Sequence, residues 1–521
     1  MRTRTALLAS CFCLAALPAL AQRTLNIAVG GAFTSMDPHY HNLGPNNVLT
    51  SYVFDSLVIS DPEFKPGVGL ATSWKAIDPT TWEFKLRETT FSDGSAFTAD
   101  DVVFSFDRIP KILNSPSSFN FAVKPIQRIE VVDPHTVRFH TAEPVALMPY
   151  LMASPKIVSR KAATGVETAD FNSMKAAIGT GPYKVTNFQV GDHAVFEANP
   201  TWWGGKLAWD KVNYRVIAND AARDAALQSG DVDVIDQVPP RDVAGLKKNE
   251  KLTIISAPGQ RLIYLSPDVG RADTPWVTDA AGKKLDKNPL QDARVRKALS
   301  LAINRDALRD RIMDGFSAPT GQIMPEGAAG YDPSIKPDPY DPAAAKKLLA
   351  EAGYPDGFGL TLHGPNDRYV NDSKLAEAVA QMWTRIGVKT TVDTMPSAAY
   401  FSRVTRFEFS MRLVGWASDT GEASSNLVQI IASSNPAKGR GAIFDPTHFA
   451  DPEIDAVIEQ SLATVDPDKR EALYKKATEM AMQQTPIIPL HFQVNVWALR
   501  KGMTMRTRTY EGTRAWDISA Q

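Results

Sequence analysis

The sequence predicts an α/β protein, because strand patterns and capped helices alternate along most of the chain. Apolar and charged residues alternate over 82–87, as in a half-buried strand. A Ser-Asp-Gly turn follows at 92–94. Thr98 then offers an N-cap hydroxyl, and Asp101 three residues later completes a capping-box pattern.

The first half of the chain continues this alternation. Residues 25–31 form an apolar run that ends at glycine, and apolar spacing over 50–58 predicts a helix. Two strand-like runs over 125–142 are separated by an Asp-Pro turn. A short helix is predicted to begin with Asp220 as its cap and to end at Gly230, because glycine commonly closes a helix.

The glycine-rich run at 179–185 has two possible explanations. It could cradle a phosphate, but it lacks the Gly-Lys-Ser/Thr ending of a phosphate loop, and no helix follows it. We therefore expect the start of a strand here and not a nucleotide site.

Helical patterns dominate the second half of the chain. Apolar residues recur at spacings of three and four over 288–308, with a break near Asn304. Asp-Pro pairs at 341–342, 451–452 and 466–467 each predict a helix start, with aspartate as the cap and proline at the first helical position. Between them the pattern predicts a helix at 373–386 and strands at 389–393 and 411–416.

The first 21 residues have the features of a secretory signal peptide. Two arginines precede an apolar core at 6–17, which is shorter than the roughly 20 residues that span a bilayer. Ala-Leu-Ala at 19–21 is a small-x-small cleavage site, so we expect cleavage after Ala21 and export. The alternative is lipidation of Cys11 after Leu-Ala-Ser, which would tether the chain to a membrane.

Composition excludes several classes of protein. Both cysteines, Cys11 and Cys13, lie in the predicted signal peptide, so the mature chain has no disulfide or thiolate chemistry. Lys+Arg total 57 against 58 Asp+Glu without a basic stripe, so we expect neither nucleic acid nor an anionic membrane as partner. The 521 residues are enough for two or three domains.

Motifs for catalysis are missing from the sequence. It contains no His-Glu-x-x-His, Gly-x-Ser-x-Gly or Walker A pattern. His39 and His41 are close together, but no cysteine or carboxylate pattern completes a metal set, and we expect them on a solvated loop. The sequence therefore predicts a protein that is not an enzyme and holds no metal or cofactor.

Several segments, taken together and in order, resemble the family 5 extracellular solute-binding proteins, the dipeptide- and oligopeptide-binding subunits of bacterial ABC importers. They include residues 70–106, Gly-Thr-Gly-Pro-Tyr at 179–183, Asn-Pro-Thr-Trp-Trp-Gly-Gly at 199–205 and the helices at 288–308. Similar landmarks occur from about Leu25 to Ala498, nearly the whole mature chain.

The resemblance implies a two-lobed periplasmic binding protein fold of the class II or cluster C type, with the ligand between the lobes. The implied divisions are 22–264 for lobe one, with an inserted subdomain at about 55–176, then 265–490 for lobe two and 491–521 for the return to lobe one. Strand crossings near Leu265 and His491 would form the hinge. We expect a periplasmic monomer that docks on a membrane permease.

The resemblance also implies ligand-binding residues. Val-Gly-Trp-Ala-Ser-Asp at 414–419 is similar to the family pattern Gly-Trp-x-x-Asp, in which the aspartate pairs with the α-ammonium of a bound peptide; Asp419 takes that position. Arg368 lies where dipeptide binders carry Arg-Pro-Tyr and is the candidate clamp for a ligand carboxylate. Trp416 and Tyr369 are candidate walls of the pocket.

Each of these residues also has a structural alternative. Asp419 could bond only its own loop, Arg368 could be a surface arginine, and the two aromatic residues could be core packing. The chain also departs from the family pattern after Asp419, because Glu422 keeps an acid but Ala423 replaces a proline.

The function implied by the resemblance is capture of short peptides and their delivery to a permease driven by ATPase subunits. Other family solutes remain open: glutathione, an opine, a metal complex, haem or an oligosaccharide. A secreted hydrolase on a similar scaffold and a sensor that presents its ligand to a membrane kinase are further alternatives.

Overall fold

A computed structural model of the protein describes residues 23–62, 65–418, 420–435 and 448–520. The predicted signal peptide, its cleavage site after Ala21 and the alternative lipidation site Cys11 lie outside the described residues, as does Asp419. None of the helices in the described part of the chain has the length and apolar character needed to cross a bilayer.

Strands and helices alternate along the described chain. The strands are β1 Thr24–Val29, β2 Val58–Ser60, β3 Pro66–Val68, β4 Ala71–Asp78, β5 Thr81–Leu86, β6 Ile126–Asp133, β7 Thr136–Thr141, β8 Tyr183–Gln189, β9 His193–Ala198, β10 Lys211–Val216, β11 Val234–Ile235, β12 Leu252–Pro267, β13 Val277–Thr278, β14 Ser317–Pro319, β15 Phe358–Pro365, β16 Val388–Met395, β17 Met411–Ala417, β18 Ile488–Arg500, β19 Met503–Met505 and β20 Ile518–Ala520. The α-helices are α1 Gly44–Thr50, α2 Ala99–Arg108, α3 Asn120–Val123, α4 Met148–Leu151, α5 Arg160–Ala163, α6 Thr168–Asn172, α7 Asp220–Ser229, α8 Pro240–Leu246, α9 Ala293–Leu301, α10 Arg305–Arg311, α11 Pro342–Glu351, α12 Asp372–Thr384, α13 Ser397–Val404, α14 Ala423–Asn426, α15 Pro452–Ala463 and α16 Pro467–Gln484.

One large mixed sheet runs through the molecule, with β12 and β18 as long antiparallel neighbours at its centre. On one side of this pair the sheet continues through β11, β1, β10, β9 and β8, and on the other through β17 and β15. Pairs such as β1 with β10 and β15 with β16 are parallel. A separate antiparallel sheet has the order β4-β5-β7-β6.

The two central strands cross between separate hydrophobic cores. Residues 252–257 of β12 and 496–499 of β18 pack in the cores around β1, which we call lobe one. Residues 262–265 and 488–492 pack in the cores on the two faces of β17, which we call lobe two. The strand register is irregular between Pro258 and Leu262. The chain therefore passes between lobes through two strands, while the exact lobe limits stay a prediction.

The four-stranded sheet has its own core in lobe one, where Phe84, Phe106 and Phe139 pack together. The predicted strand over 82–87 is confirmed as β5, but Glu83 is only 7% exposed, because it forms an ion pair with Arg138 at 2.9 Å. The capping box that starts α2 is also confirmed.

The helix predicted over 50–58 is wrong, because α1 ends at Thr50. The backbone carbonyls of Tyr52 and Val53 accept hydrogen bonds from Tyr183 (2.8 Å) and Gly181 (2.9 Å) instead of continuing the helix. This approach is so close that a Cβ at Gly179 would lie 1.9 Å from the Val53 carbonyl oxygen. The glycine-rich run thus packs backbone against backbone and leads into β8.

Side-chain caps start several helices where the sequence predicts them. Asp341, Asp451 and Asp466 each accept hydrogen bonds from backbone N–H groups of the first turn, with proline at the start of the helix. The predicted N-cap of helix α7 is wrong by one residue, because Asn219 and not Asp220 caps this helix. Gly230 ends that helix with a left-handed φ of 88°, as predicted.

Candidate ligand-binding cleft

In the described residues, lobe one and lobe two are joined by contacts near the crossing strands and by contacts away from them. Near the crossing strands, Arg261 of β12 forms an ion pair with Glu511 of lobe one. Away from these strands, the Ala146 N–H of lobe one donates to the Leu462 carbonyl of lobe two at 3.3 Å. The phenol of Tyr150, on α4 shortly after Ala146, lies beside Arg470 of lobe two. The structure therefore shows the two lobes in contact at both places.

The Arg261–Glu511 pair is bidentate. The Nη2 group of Arg261 donates to Oε2 of Glu511 at 3.0 Å, and Nε donates to Oε1. Burial opposes both charges, but the charge and hydrogen bonds of Glu511 outweigh it and raise the pKa of Arg261. Burial would likewise raise the pKa of Glu511, and Arg261 more than offsets it, so that pKa is lowered. Both groups therefore stay ionised beside the cleft.

Arg368 adds a second guanidinium at the same end of the cleft. Its side chain reaches solvent and lies over the Tyr369 ring, with the guanidinium carbon 5.2 Å from the ring centroid. Within the described residues no hydrogen-bond or ion-pair acceptor contacts this guanidinium. The positive charge of Arg261, followed by burial, lowers the pKa of Arg368. Two guanidinium groups and one carboxylate leave one excess positive charge here, which suits a carboxylate of a ligand.

Tyr369 and Trp416 lie close to Arg368 and Arg261. Tyr369 is only 7% exposed and donates its hydroxyl to the Gly415 carbonyl at 3.3 Å. A Cβ at Gly415 would lie 2.6 Å from a carbon of the Tyr369 ring, so glycine permits this packing. Trp416 is the register partner of Leu262, next to Arg261 on β12, and is half-buried. The structure therefore brings Arg368 and Tyr369 together on one face of β17, whereas Trp416 packs against the core on the opposite face.

Several side chains hold the described part of the loop after β17, from which only Asp419 is excluded. Ser418 Oγ accepts from the Gly421 N–H and donates to the Glu422 carbonyl, each at 2.9 Å. The Glu422 carboxylate is buried and accepts from Ser424 and from Tyr474, each at 2.7 Å. The acid that this chain shares with the family pattern therefore has a structural role.

Ala423, where the family pattern has proline, also has a structural explanation. Its backbone N–H donates to the Ala329 carbonyl at 3.1 Å. Proline has no N–H and could not make this bond. The departure from the family pattern is thus coupled to the packing of the loop against residue 329.

The solvated loop predicted at His39 and His41 is wrong for His39, which is fully buried. Its Nε2 is 2.8 Å from the Lys156 carbonyl oxygen, and its Nδ1 is 3.0 Å from Nη1 of Arg108. Burial, followed by the charge of Arg108, lowers the pKa of His39 to about 4. His39 is therefore a neutral packing residue, and the described residues contain no group of three side chains suited to hold a metal.

Sequence reasoning missed Arg261 and Glu511. They lie 250 positions apart, so no local spacing could pair them. The sequence does contain one signal, Pro-Gly at 258–259 inside a long strand. Glycine and proline within a strand often mark a bulge or a close approach of another backbone, here near Arg261. A Cβ at Gly259 would lie 2.6 Å from the Gln493 carbonyl oxygen, so the two crossing strands approach closely at this step.

Comparisons with known proteins agree with this architecture. The family described as "Bacterial extracellular solute-binding proteins, family 5 Middle" matches residues 65–438. The glutathione-binding protein GsiB of Shigella dysenteriae serotype 1 is 30% identical over 508 residues, covering 96% of this chain and 93% of GsiB.

Solved structures with the same fold include two peptide complexes. The periplasmic binding protein DppA of Helicobacter pylori, in complex with the peptide STSA, is 25% identical with a TM-score of 0.78, covering 96% of this chain and 98% of DppA. The dipeptide-binding protein of Pseudoalteromonas sp. SM9913, in complex with Met-Leu, is 21% identical with a TM-score of 0.79, covering 96% of this chain and 100% of that chain. These likenesses confirm the predicted two-lobed periplasmic binding protein fold.

Proposed function

The chain belongs to the bacterial extracellular solute-binding proteins of family 5, and we propose that its solute is a short peptide with free termini. As a member of this family it is the substrate-binding component of an ABC importer, and neither the family nor the fold is that of an enzyme. In our proposal it is exported after cleavage at Ala21, acts as a monomer in the periplasm and passes intact peptide to a permease.

The excess positive charge at Arg368 is the observation that carries the peptide proposal. A guanidinium without an acceptor among the described residues, beside a second guanidinium already paired to Glu511, offers a fork for a terminal carboxylate. Charge-assisted hydrogen bonds of this kind are among the stronger polar contacts available to a ligand.

The opposite terminus of the peptide is assigned to Asp419. Hydrogen bonds of Ser418, Thr420 and Glu422 hold the described residues of loop 418–424, and in this proposal the Asp419 carboxylate serves the ligand. Asp419 follows Trp416 by three residues, and Trp416 adjoins the Arg261 end of the cleft. In this proposal the carboxylate pairs with the α-ammonium, and Trp416 and Tyr369 form apolar walls.

Relatives support peptide-like solutes in general. GsiB is named for glutathione, which is itself a small peptide, and the two structural neighbours hold STSA and Met-Leu. In such sites terminal charges provide affinity while side chains occupy roomier, hydrated space.

Mass spectrometry of the solute that co-purifies with the mature protein tests this proposal. We expect short peptides with free amino and carboxyl termini, and we expect calorimetry with the same synthetic peptides to give binding. Incubation with a peptide mixture should return every peptide intact. A solute without an amino or carboxyl terminus, such as an oligosaccharide, would contradict the peptide assignment, and consumed peptides would indicate a hydrolase.

A further inference from the structure

Two cations of lobe one have no acceptor for their charged groups among the described residues. Lys156 and Arg514 are both half-buried, and no described residue accepts a hydrogen bond from the Lys156 ammonium or the Arg514 guanidinium. The guanidinium carbon of Arg514 lies 5.8 Å from the Trp516 ring centroid. A half-buried charge without a partner is costly to the fold, so it calls for an explanation.

Both residues are anchored to the same segment of lobe one. The backbone of Lys156 bridges that of Ser56. The residues on either side of Arg514 are tied to Tyr52, whose hydroxyl donates to the Thr513 carbonyl at 3.1 Å and accepts from the Ala515 N–H at 2.9 Å. Segment 52–56 therefore holds near each other two cations that are far apart in the sequence.

The carboxylates nearest to these cations are occupied by other groups. Asp55 accepts from the Trp203 indole at 2.8 Å and from the Thr180 hydroxyl at 3.0 Å, and Lys156 is not within ion-pair distance of it. Asp517 accepts from Arg506 at 2.9 Å and from Arg508 at 3.0 Å. Neither carboxylate neutralises Lys156 or Arg514 directly.

The electrostatics agree with this geometry. Burial first, and then the charge of Arg514, lower the pKa of Lys156 to about 8, although Asp55 opposes them. Burial, followed by the charge of Arg508, lowers the pKa of Arg514 to about 10. The two cations thus repel each other and are incompletely hydrated, which is a state that an anion would relieve.

The cation pair borders the cleft already described. Tyr510 interacts electrostatically with Arg514 and also with Arg261 and Arg368. Tyr510 and Glu511 belong to the same segment as Arg514, so this segment connects the Arg368 end of the cleft with the lobe-one cations. One ligand in the cleft therefore has positive charge near it at two separate places.

We propose that Lys156 and Arg514 form a second anion subsite, which receives an additional carboxylate of the bound solute. The inference rests on the proposed function and narrows its substrate class to acidic peptides with two carboxylates, such as a peptide with a glutamyl side chain or a γ-glutamyl peptide. One carboxylate meets Arg368, and the other meets Lys156 and Arg514.

Calorimetry with the dipeptides Ala-Glu and Ala-Gln tests the subsite, because the two differ by one charge at nearly constant shape. Wild type should bind Ala-Glu about 10- to 100-fold more tightly, as expected for hydrogen bonds between charged groups. Lys156→Met and Arg514→Met should lose most of this preference while keeping their affinity for Ala-Gln. The control Lys161→Met removes an exposed lobe-one charge, which is paired with Asp93, and should keep the preference.

A second measurement keeps failure of the subsite distinct from failure of the peptide assignment. Malonate at millimolar concentration should raise the Tm of wild type and of Lys161→Met above that in sodium chloride of equal ionic strength, but should not raise that of Lys156→Met or Arg514→Met. If neither dipeptide binds, the peptide assignment fails and the malonate result alone decides the subsite. The inference is overturned if wild type binds Ala-Glu and Ala-Gln equally well, or if both variants keep the preference of wild type. It is also overturned if malonate stabilises all four proteins equally.

Discussion

Arg108 is buried and Arg514 is half-buried in lobe one, and the two guanidinium groups differ in whether a carboxylate pairs with them. Arg108 donates to both oxygens of Asp37, at 2.8 and 2.6 Å, while Thr168 donates to the same carboxylate at 2.8 Å. Arg514 lies over Trp516 and has no such acceptor among the described residues. The Arg108 guanidinium is thus bonded within the fold, whereas in our proposal the Arg514 guanidinium bonds to another molecule.

The difference separates structural charges from binding charges. A buried charge without a partner destabilises the folded state. When a buried charge is fully paired, removing either partner lowers the stability of the fold. Arg368 resembles Arg514 in this respect, while Arg261 is already neutralised by Glu511. Charges left unpaired near a cleft are therefore candidates for ligand contacts, and the comparison can be tested by removing each charge in turn.

The largest expected effect is on stability, for Arg108→Met. Removing one partner of a buried ion pair costs about 3–5 kcal/mol, because Asp37 is left charged and without its main partner. The same substitution at Arg514 should leave the protein at least as stable as wild type, because it removes a half-buried charge that has no acceptor among the described residues. Urea unfolding of both variants measures this difference, and equal losses would remove the distinction between the two arginines.

Asp419→Ala should give the largest effect on affinity. If Asp419 is the counter-ion of the peptide ammonium, its removal costs about 3–5 kcal/mol, or roughly two to three and a half decades in Kd. Stability should change little, because the residue serves the ligand.

An acetylated peptide provides the control for Asp419. Calorimetry should show that acetylation of the ligand weakens binding to wild type far more than binding to the variant. Binding by Asp419→Ala within about threefold of wild type, a gap well under 1.4 kcal/mol, would assign Asp419 to its own loop.

A smaller effect concerns the pH dependence of stability for Lys156→Met. The pKa of Lys156 falls from 10.5 to about 8 in the folded protein, so below pH 8 the folded chain carries an unfavourable buried charge. Between pH 8 and 10.5 the folded chain releases this proton while the unfolded chain keeps it, and stability rises. Lys156→Met should therefore be more stable than wild type at pH 7, and the gap should narrow up to pH 10.5. Urea titrations across this range measure the gap, and a constant gap would place the ammonium in open solvent.

Local chemistry made much of the fold predictable. Asp341, Asp451 and Asp466 start their helices because a capping carboxylate and a following proline act within one turn. The helix predicted over 50–58 failed because the carbonyls of Tyr52 and Val53 bond to a segment about 130 residues away. Apolar spacing does not encode such a contact, and the glycines that permit it suggested other functions equally well.

The residues of the cleft also differ in whether the sequence alone could predict them. Arg368 and Trp416 are predicted ligand contacts because each lies within a few residues of a short family pattern. Arg261, Glu511, Lys156 and Arg514 come from distant parts of the chain and have no motif of their own. The Arg261–Glu511 contact and the absence of acceptors around Lys156 and Arg514 in the described residues are properties of the tertiary structure alone.

The most direct test of the central claim, that Arg368 receives the ligand's carboxylate, is calorimetry with Ala-Glu whose α-carboxyl group is either free or amidated. The proteins to compare are wild type, Arg368→Met and the exposed lobe-two control Arg385→Met. We expect amidation to cost wild type and Arg385→Met about 1.5–3 kcal/mol, roughly 10- to 100-fold in Kd. Arg368→Met should show little or no further loss on amidation, because the group that reads the carboxylate is already gone. An equal amidation penalty in all three proteins would contradict the claim that the unpaired guanidinium of this cleft is the receptor for the ligand's carboxylate.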